Sequence, residues 1–535
     1  MGYPVFFFGG SLSWRFEQLT KANDPGVPTS STGPEVCFIP GSQQVGPEHF
    51  GIVSVDCAKA RSKWMLADFY GKVLIPPTVV AHNRVELDAT IAQIRQALTT
   101  NGLYDMLVAI ERTGRYHHVI RDAFVRAEFE ARLVHPFATK RFRQPADPST
   151  KTDDTDLAAI HRAAVNGFAL LEPKLSEDWQ SLQVLVRHRR NLVQKNAALR
   201  CQIREHLEAA WPGYAACFDE LWDSHIAQAL IRRYATPLDL LTESAPAIDH
   251  WLRQQGVRFQ RPTLDTILVW AQRATPGDPL TELHRRLALA YDDDRLQKTQ
   301  EIQALERDLA RRLAQTPYVL LLSFPGINVV SAAEFAGEMG PIEHYANPRN
   351  ITGRAGLFPS RYQSDQVDRP HGPLVRRGNR KLRAAILGVA DNLLACNQHF
   401  KVLATRWKAL GKHTRHTHVK IALRFCRIAF HMVAGRQVFH HPGLRERHYI
   451  LDKLLAFHTE HQTPWEQTLR DLHYAIDQVP TKERGREAQP LADRLQRWRQ
   501  RRRGPQALAE ILAIVLARLG VGIVQSQESG EQDPT

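Results

Sequence analysis

"GIVSVDCAKARSKWMLADFYGKVL", residues 51–74, decides the fold class. Apolar residues alternate along two runs, and Tyr70-Gly71 supplies a turn pair, which together predict a β-hairpin. A helical pattern follows in "RVELDATIAQIRQALTT" (84–100), then an apolar strand in "MLVAIERTG" (106–114), another helix, and a strand in "ARLVHP" (131–136). A hairpin followed by strands alternating with helices predicts an α/β sheet that is mixed rather than purely parallel.

Acidic residues fall at particular points of that pattern. Asp56 lies inside the apolar strand "IVSVDCA", where a charge is costly unless it is paired or coordinates something. Glu111 ends "LVAIE", just before the turn-like "RTGRY". The stretch "KTDDTDLAAI" (151–160) admits two readings. In one, Asp153 is a helix N-cap, with Asp154 and Asp156 set against the positive end of the helix dipole. In the other, the helix has begun by Asp153, so Asp153 and Asp156, three apart, project from one face and repel unless a cation lies between them. Each acid alone has a structural explanation. Together Asp56, Glu111, Asp153 and Asp156 offer four carboxylates in the order strand, strand, helix, a donor set suited to Mg²⁺ or Mn²⁺. Two such ions about 3.5–4 Å apart stabilise both the entering and the leaving oxygen of a phosphodiester displacement.

The bulk composition points the same way. The chain has 535 residues, too many for one ordinary core, and 43% of them are hydrophobic. Lys and Arg number 70 against 56 Asp and Glu, giving +14 and a pI near 9.6. That imbalance favours a polyanionic partner, nucleic acid ahead of membrane. Cys37, Cys57, Cys201, Cys217, Cys396 and Cys426 form no C-x-x-C pair, which argues against a zinc ribbon or disulfide framework and fits a reducing cytoplasm. "MGYPVFFFGG" lacks a basic n-region and is too short a hydrophobic segment for a good signal peptide. Glu510 and Arg518 interrupt the apolar run 507–524, so it reads as a buried amphipathic helix rather than a membrane span.

Five segments are expected. Residues 1–49, rich in Gly, Pro and Ser, read as a flexible extension, and 50–165 as the α/β domain. Residues 166–316 read as a helical linker and coiled-coil arm. Its two long helices, around 182–207 and 294–315, either pair with each other or with another chain. Residues 317–440 read as a compact, mostly helical unit, and 441–535 as a helical basic extension with a disordered tail. The basic run 494–504 is either a solvated helix face or a nucleic-acid contact. In "FPGIN", Pro325-Gly326 forms a tight turn that either connects two helices or aims backbone N–H groups at a phosphate. Arg376, Arg377, Arg380, Lys381 and Arg383 in "RRGNRKLR" are either a solvated basic face or a phosphate-holding cluster.

The blocks "SVDCAK", "AIERTGRYHHVI", "LVHPFATKRF" and "KTDDTDLAAI" resemble the RuvC/RNase H-like domain of the DEDD transposases of the IS110 insertion-sequence family. "LLSFPGINVVSAAEFAGEMG", "GLFPSRYQSDQ" and "RRGNRKLRAAI" are similar to that family's C-terminal transposase domain, in the same order, over roughly residues 50–440. The resemblance implies a bacterial, cytoplasmic recombinase, nucleoid-associated when active, that cuts and rejoins donor and target DNA. It further implies guidance by a structured non-coding bridge RNA and assembly as a dimer to tetramer, with no membrane role. Asp56, Glu111, Asp153 and Asp156 fall on the family's acidic tetrad, and Ser364 on its nucleophilic serine. Asp365 stands where the family usually has glycine, and Ser360 lies four residues before Ser364. Two other functions compete: a RuvC-like nuclease that hydrolyses DNA with the tetrad alone, and an inactive relic that only binds nucleic acid.

Overall fold

The computed structural model describes residues 45–144, 149–172, 175–364, 367–369, 372–375, 378–441 and 447–501. They form two units, one on each side of residue 174.

The first unit is a six-stranded mixed sheet. Its strands are β1 (Phe50–Cys57), β2 (Arg61–Asp68), β3 (Val73–Ala81), β4 (Asp105–Glu111), β5 (Glu130–Val134) and β6 (Ala169–Leu170). They lie in the order β3-β2-β1-β4-β5-β6. The quoted hairpin is β1 and β2, paired antiparallel from Gly51 opposite Asp68 to Cys57 opposite Ser62. Tyr70-Gly71 turns β2 into β3 instead, with Gly71 at φ +94°, a left-handed conformation that suits glycine. β4 adds parallel to β1 and β5 parallel to β4, while β6 returns antiparallel. This is the RuvC/RNase H-like mixed sheet that the sequence leads one to expect.

Helices α1 (Arg84–Thr100), α2 (His117–Arg126), α3 (Pro136–Arg143) and α4 (Asp153–Val165) cover both faces of the sheet. Strand residues alternate in direction, so each strand serves two cores. Val53, Val55 and Cys57 of β1 and Met106, Val108 and Ile110 of β4 pack with Leu87, Ile91, Ile94, Ile120 and Phe124 of α1 and α2. The intervening Ile52, Leu107 and Ala109 pack with Ala138, Ile160, Ala163 and Ala164 of α3 and α4. Continuing that alternation turns Asp56 and Glu111 to the α4 side.

The second unit is almost all helix. α5 (Glu177–Ala210) and α9 (Thr281–Ala314) are the two long helices, and they pair with each other within the chain. Arg189 bonds Glu306 at 2.6 Å, Asn196 bonds Thr299 at 2.9 Å and His206 bonds His284 at 2.9 Å, so the partner number falls as the first rises and the pair is antiparallel. Between them α6 (His225–Arg233), α7 (Ala245–Gln254) and α8 (Arg261–Arg273) enclose a small core around Trp211 and Tyr214.

A larger core follows, built from α10 (Val329–Met339), α11 (Pro348–Ala355), α12 (Arg380–Cys396), α13 (Gln398–Ala409) and α14 (Thr414–Ala434). A short hairpin of β7 (Tyr362–Ser364) and β8 (Val367–Arg369) lies between α11 and α12. The residues beyond 440 share this core. α15 (Ile450–Glu460), α16 (Trp465–Gln478) and α17 (Thr481–Arg501) supply Ile450, Leu454, Leu472, Ile476 and Leu491 to it. No helix among the described residues is long and apolar enough to cross a membrane. The segments 1–44 and 507–524 lie outside those residues.

One buried ion pair ties the arm to this core. Glu338 on α10, 0% exposed, accepts from Arg187 on α5 at 2.9 and 3.0 Å and from Asn379 at 3.2 Å. Burial pushes its carboxyl upward, but the Arg187 guanidinium, the Asn379 amide and the charge of Arg190 together outweigh burial and hold it below its ordinary value. Removing one partner of such a pair leaves an uncompensated buried charge, at a cost of about 3–5 kcal/mol. Arg187→Ala is therefore expected to lower the thermal transition of the helical unit by several degrees, and adding Glu338→Gln to restore part of the loss. Calorimetry of the single and double variants checks both.

Candidate active site

The register of β1 and β4 brings the first two acids together. Val55 pairs with Ile110 in parallel, so the next residues, Asp56 and Glu111, stand side by side at the strand ends, on the same face. The Glu111 carboxylate lies close enough to raise the cost of charge on Asp56.

The helix that crosses this face supplies the other two. α4 is capped by Thr152, not by Asp153: the Thr152 hydroxyl accepts from the Thr155 N–H, and the Thr155 hydroxyl accepts from the Thr152 N–H. This reciprocal cap fixes the N-cap at Thr152, so the helix starts at Asp153. Asp153 is thus already helical, and Asp153 and Asp156 share a face, as the metal reading of 151–160 requires. Asp154 points elsewhere and pairs with Lys63 at 2.6 Å. Lys63 sits opposite Asp56 in the β1–β2 register.

Burial, followed by the charges of Glu111, Asp153 and Asp156, pushes the Asp56 carboxyl up to about 6. Burial is the largest cause, and the neighbouring like charges add to it in the same direction. Asp156, 6% exposed, is held by the guanidinium of Arg143 at the end of α3. Among the described residues no three of the tetrad's acids bring ligand oxygens within 4.8 Å of one another. The four acids thus share one edge of the sheet, with Arg143 occupying Asp156. A set of carboxylate oxygens gathered at one sheet edge fits a hard divalent cation.

Ser364 ends β7 and pairs with Val367 of β8. Ser360 is accounted for differently: its hydroxyl donates to the Pro373 carbonyl at 3.0 Å, and its own carbonyl accepts from the Gly372 N–H. Asp365, Arg376 and Arg377 lie outside the described residues.

The remaining nucleic-acid candidates divide by their partners. Pro325 is buried, and its carbonyl accepts from Asn397 at 3.0 Å. Gly326, at φ +91°, lies where a Cβ would come within 3.1 Å of the Asn392 carbonyl. Lys453 of α15 donates to the carbonyls of Phe324 and Ile327 at 3.0 and 2.9 Å, so this turn is locked by packing and by amine and amide donors. Arg383 donates to the carbonyls of Ala355 and Val375 at 2.8 and 2.7 Å and braces the entry to α12. Gly378, at φ +107°, approaches the Arg354 carbonyl too closely for any Cβ. Arg380 and Lys381 are exposed at the start of α12. Of the basic run after 494, Arg494 pairs with Asp452 at 2.7 Å.

Sequence reasoning missed Arg143 and Lys63, the two cations that engage the acidic helix start. Lys63 had a usable signal, because the hairpin register places it opposite Asp56.

The raised Asp56 carboxyl sets a pH dependence. A carboxyl whose folded value lies near 6, above about 3.9 in the unfolded chain, withdraws stability as pH rises through that interval. Asp56→Asn is therefore expected to raise the melting temperature of the metal-free protein at pH 7–8. The gain should shrink progressively below pH 6 and vanish near pH 4. Thermal melts of both proteins in chelator across that range measure it.

Two family models match the chain. A DEDD transposase model of the IS110 type covers residues 53–212, and a model described as "Transposase IS116/IS110/IS902 family" covers residues 318–404. The first span contains all four acids and the second contains Ser364. A transposase for insertion sequence element IS1328 from Yersinia enterocolitica is 23% identical over 338 residues, which cover 62% of this chain and 85% of that protein. With the mixed sheet, the helical second unit and both matches in the same order, the chain belongs to the IS110 family of insertion-sequence transposases.

Proposed function

We propose that this protein cuts and rejoins DNA through a covalent serine–DNA intermediate, using Asp56, Glu111, Asp153 and Asp156 to hold divalent metal and Ser364 as nucleophile. The observation that carries the reading is that Asp56 and Glu111 end neighbouring parallel strands on one face, where the helix bearing Asp153 and Asp156 begins. Such crowding is unfavourable for stability alone and suits a site completed by cations.

Ser364 Oγ attacks the scissile phosphorus, forming an Oγ–P bond as the bond from phosphorus to the leaving deoxyribose oxygen breaks. The serine proton passes to a base and the leaving oxygen takes up a proton. Attack by a hydroxyl of the incoming strand reverses the exchange and releases serine. The bond energy is retained throughout, which a hydrolytic nuclease would lose to water. Bound Mg²⁺ or Mn²⁺ would polarise the scissile phosphate and stabilise charge on the entering and leaving oxygens. Asp56 and Glu111 provide fixed strand-borne oxygens. Asp153 and Asp156 provide helix-borne ones, and Asp156 must leave Arg143 to engage a cation.

Arg380 and Lys381, together with Arg376 and Arg377, hold nucleic-acid phosphates without reading bases. A structured bridge RNA selects donor and target by pairing, and the working assembly is a dimer to tetramer in which one subunit's acids meet another's serine. Of the segments expected from the sequence, 50–165, 166–316 and 317–440 are kept as the functional division of the chain, with the helices after 440 counted with the last because they share its core.

Denaturing gels of the purified protein with its copurifying RNA and cognate DNA test the chemistry. Wild type should yield a protein–DNA adduct that depends on Mg²⁺ or Mn²⁺. Ser364→Ala should abolish it, whereas Ser360→Ala should leave it near wild-type level. Asp156→Asn should reduce strand transfer by at least about tenfold, the lower end of what disturbing a metal site costs. Full cleavage by Ser364→Ala would establish the hydrolytic nuclease instead, and the absence of any metal-dependent product would indicate a binder. A discrete RNA encoded beside the gene in the sequenced copurifying fraction is expected; random RNA fragments would remove the guide from the mechanism.

A further inference from the structure

A second group of ligating side chains lies in the first unit, and the tetrad does not use it. His117 and His118 open α2, and Glu172 follows β6 by two residues. Their ligand atoms all lie within 4.8 Å of one another, the one such trio of His, Cys, Asp or Glu among the described residues. The two imidazoles lie face to tilted face, with centroids 4.3 Å apart.

Three details separate this trio from an ordinary surface cluster. His117 is 1% exposed, yet neither of its ring nitrogens has a hydrogen-bond partner. A buried imidazole that is bonded at neither nitrogen is unusual unless something else engages it. Its Nε2 faces Glu172 Oε2 at 4.0 Å, too far for a hydrogen bond and close enough for both atoms to reach one ion with a small shift.

The carboxylate is also held in place. Arg121 donates to Glu172 Oε2 at 2.5 Å, and Arg112 lies 3.2 Å from Oε1. A carboxylate has about four lone-pair directions, so two guanidiniums do not exhaust it. Asp122, which accepts from Arg121 at 2.9 Å, gives the Arg121 guanidinium an additional counter-charge.

We infer that His117, His118 and Glu172 form a transition-metal site of the two-imidazole, one-carboxylate kind. Two neutral nitrogens and one oxygen favour Zn²⁺ or a similar first-row ion over Mg²⁺, which prefers all-oxygen surroundings. The role is structural. β6 is only two residues long, and an ion bridging Glu172 to the start of α2 fastens the chain as it leaves the sheet.

The full-length protein with Asp56→Asn and Asp156→Asn, which disable the tetrad, is stripped with chelator and titrated with Zn²⁺ against a competing chromophoric chelator. It should bind one equivalent more than the same protein carrying His118→Ala or Glu172→Gln. Loose binding by the histidines outside the trio is common to all the proteins and cancels in that difference. Co²⁺ should give a visible absorption band that both added variants lose, and Zn²⁺ should slow amide exchange at residues 169–172 only where the trio is intact. Glu172→Gln keeps a partner for Arg121 and leaves the buried His117 untouched, so its loss of the equivalent does not reflect failed folding. Equal stoichiometry and equal Co²⁺ spectra with and without the His118 and Glu172 substitutions would overturn the site.

Discussion

Everything in the first unit turns on the repulsion among carboxylates at one edge of its sheet. Two strands that run parallel in fixed register end in acids on the same face, and a helix begins above them with two more. Ordinary cores avoid this, because each ionised carboxyl near the others raises the cost of the next. The sheet tolerates it because Ile52, Leu107 and Ala109, buried just behind the acids, anchor strands and α4 through Ile160 and Ala163. The apolar packing supplies the geometry, and the charges are left as an uncompensated requirement for cations. Lys63 and Arg143 meet part of that requirement, at Asp154 and Asp156.

The helical unit treats its cations in the opposite manner, spending several on structure. Arg187 neutralises a fully buried Glu338, Arg189 bridges Glu306 and Glu334, and Arg383 and Lys453 cap backbone carbonyls. Net charge therefore overstates the surface available to polyanions, since these side chains are committed before any nucleic acid arrives. Arg380 and Lys381 at the exposed start of α12 are not buried in this way. The helices after residue 440 belong to the same framework, because Lys453 and the apolar faces of α15 to α17 close the core beneath the Phe324–Ile327 turn.

Much of this was legible in the residues. Alternation within 51–74 identified the hairpin, and period-two reasoning suffices to put Asp56 and Glu111 on one face once β1 and β4 are known to be parallel. The antiparallel pairing of α5 and α9 was one of two readings that helical spacing left open, because spacing gives a sticky face but not its occupant. Other features had no local signal. Arg143 lies thirteen positions from Asp156, and its approach depends on how α3 and α4 pack. β6 is too short to show alternation. The capping role at residue 152 was visible as a threonine before an acidic turn, but three neighbouring aspartates, all good caps themselves, obscured it. The buried, unbonded state of His117 is a property of packing around α2 that the bare His-His pair does not disclose.

The proposition on which these assignments rest is that the four acids close around divalent metal once it is supplied. Anomalous diffraction from crystals grown with Mn²⁺ measures this directly. One or two manganese peaks bounded by Asp56, Glu111, Asp153 and Asp156, with Arg143 moved off Asp156, are the expected result. Manganese bound elsewhere, with Arg143 still on Asp156 and the acids still apart, would contradict it.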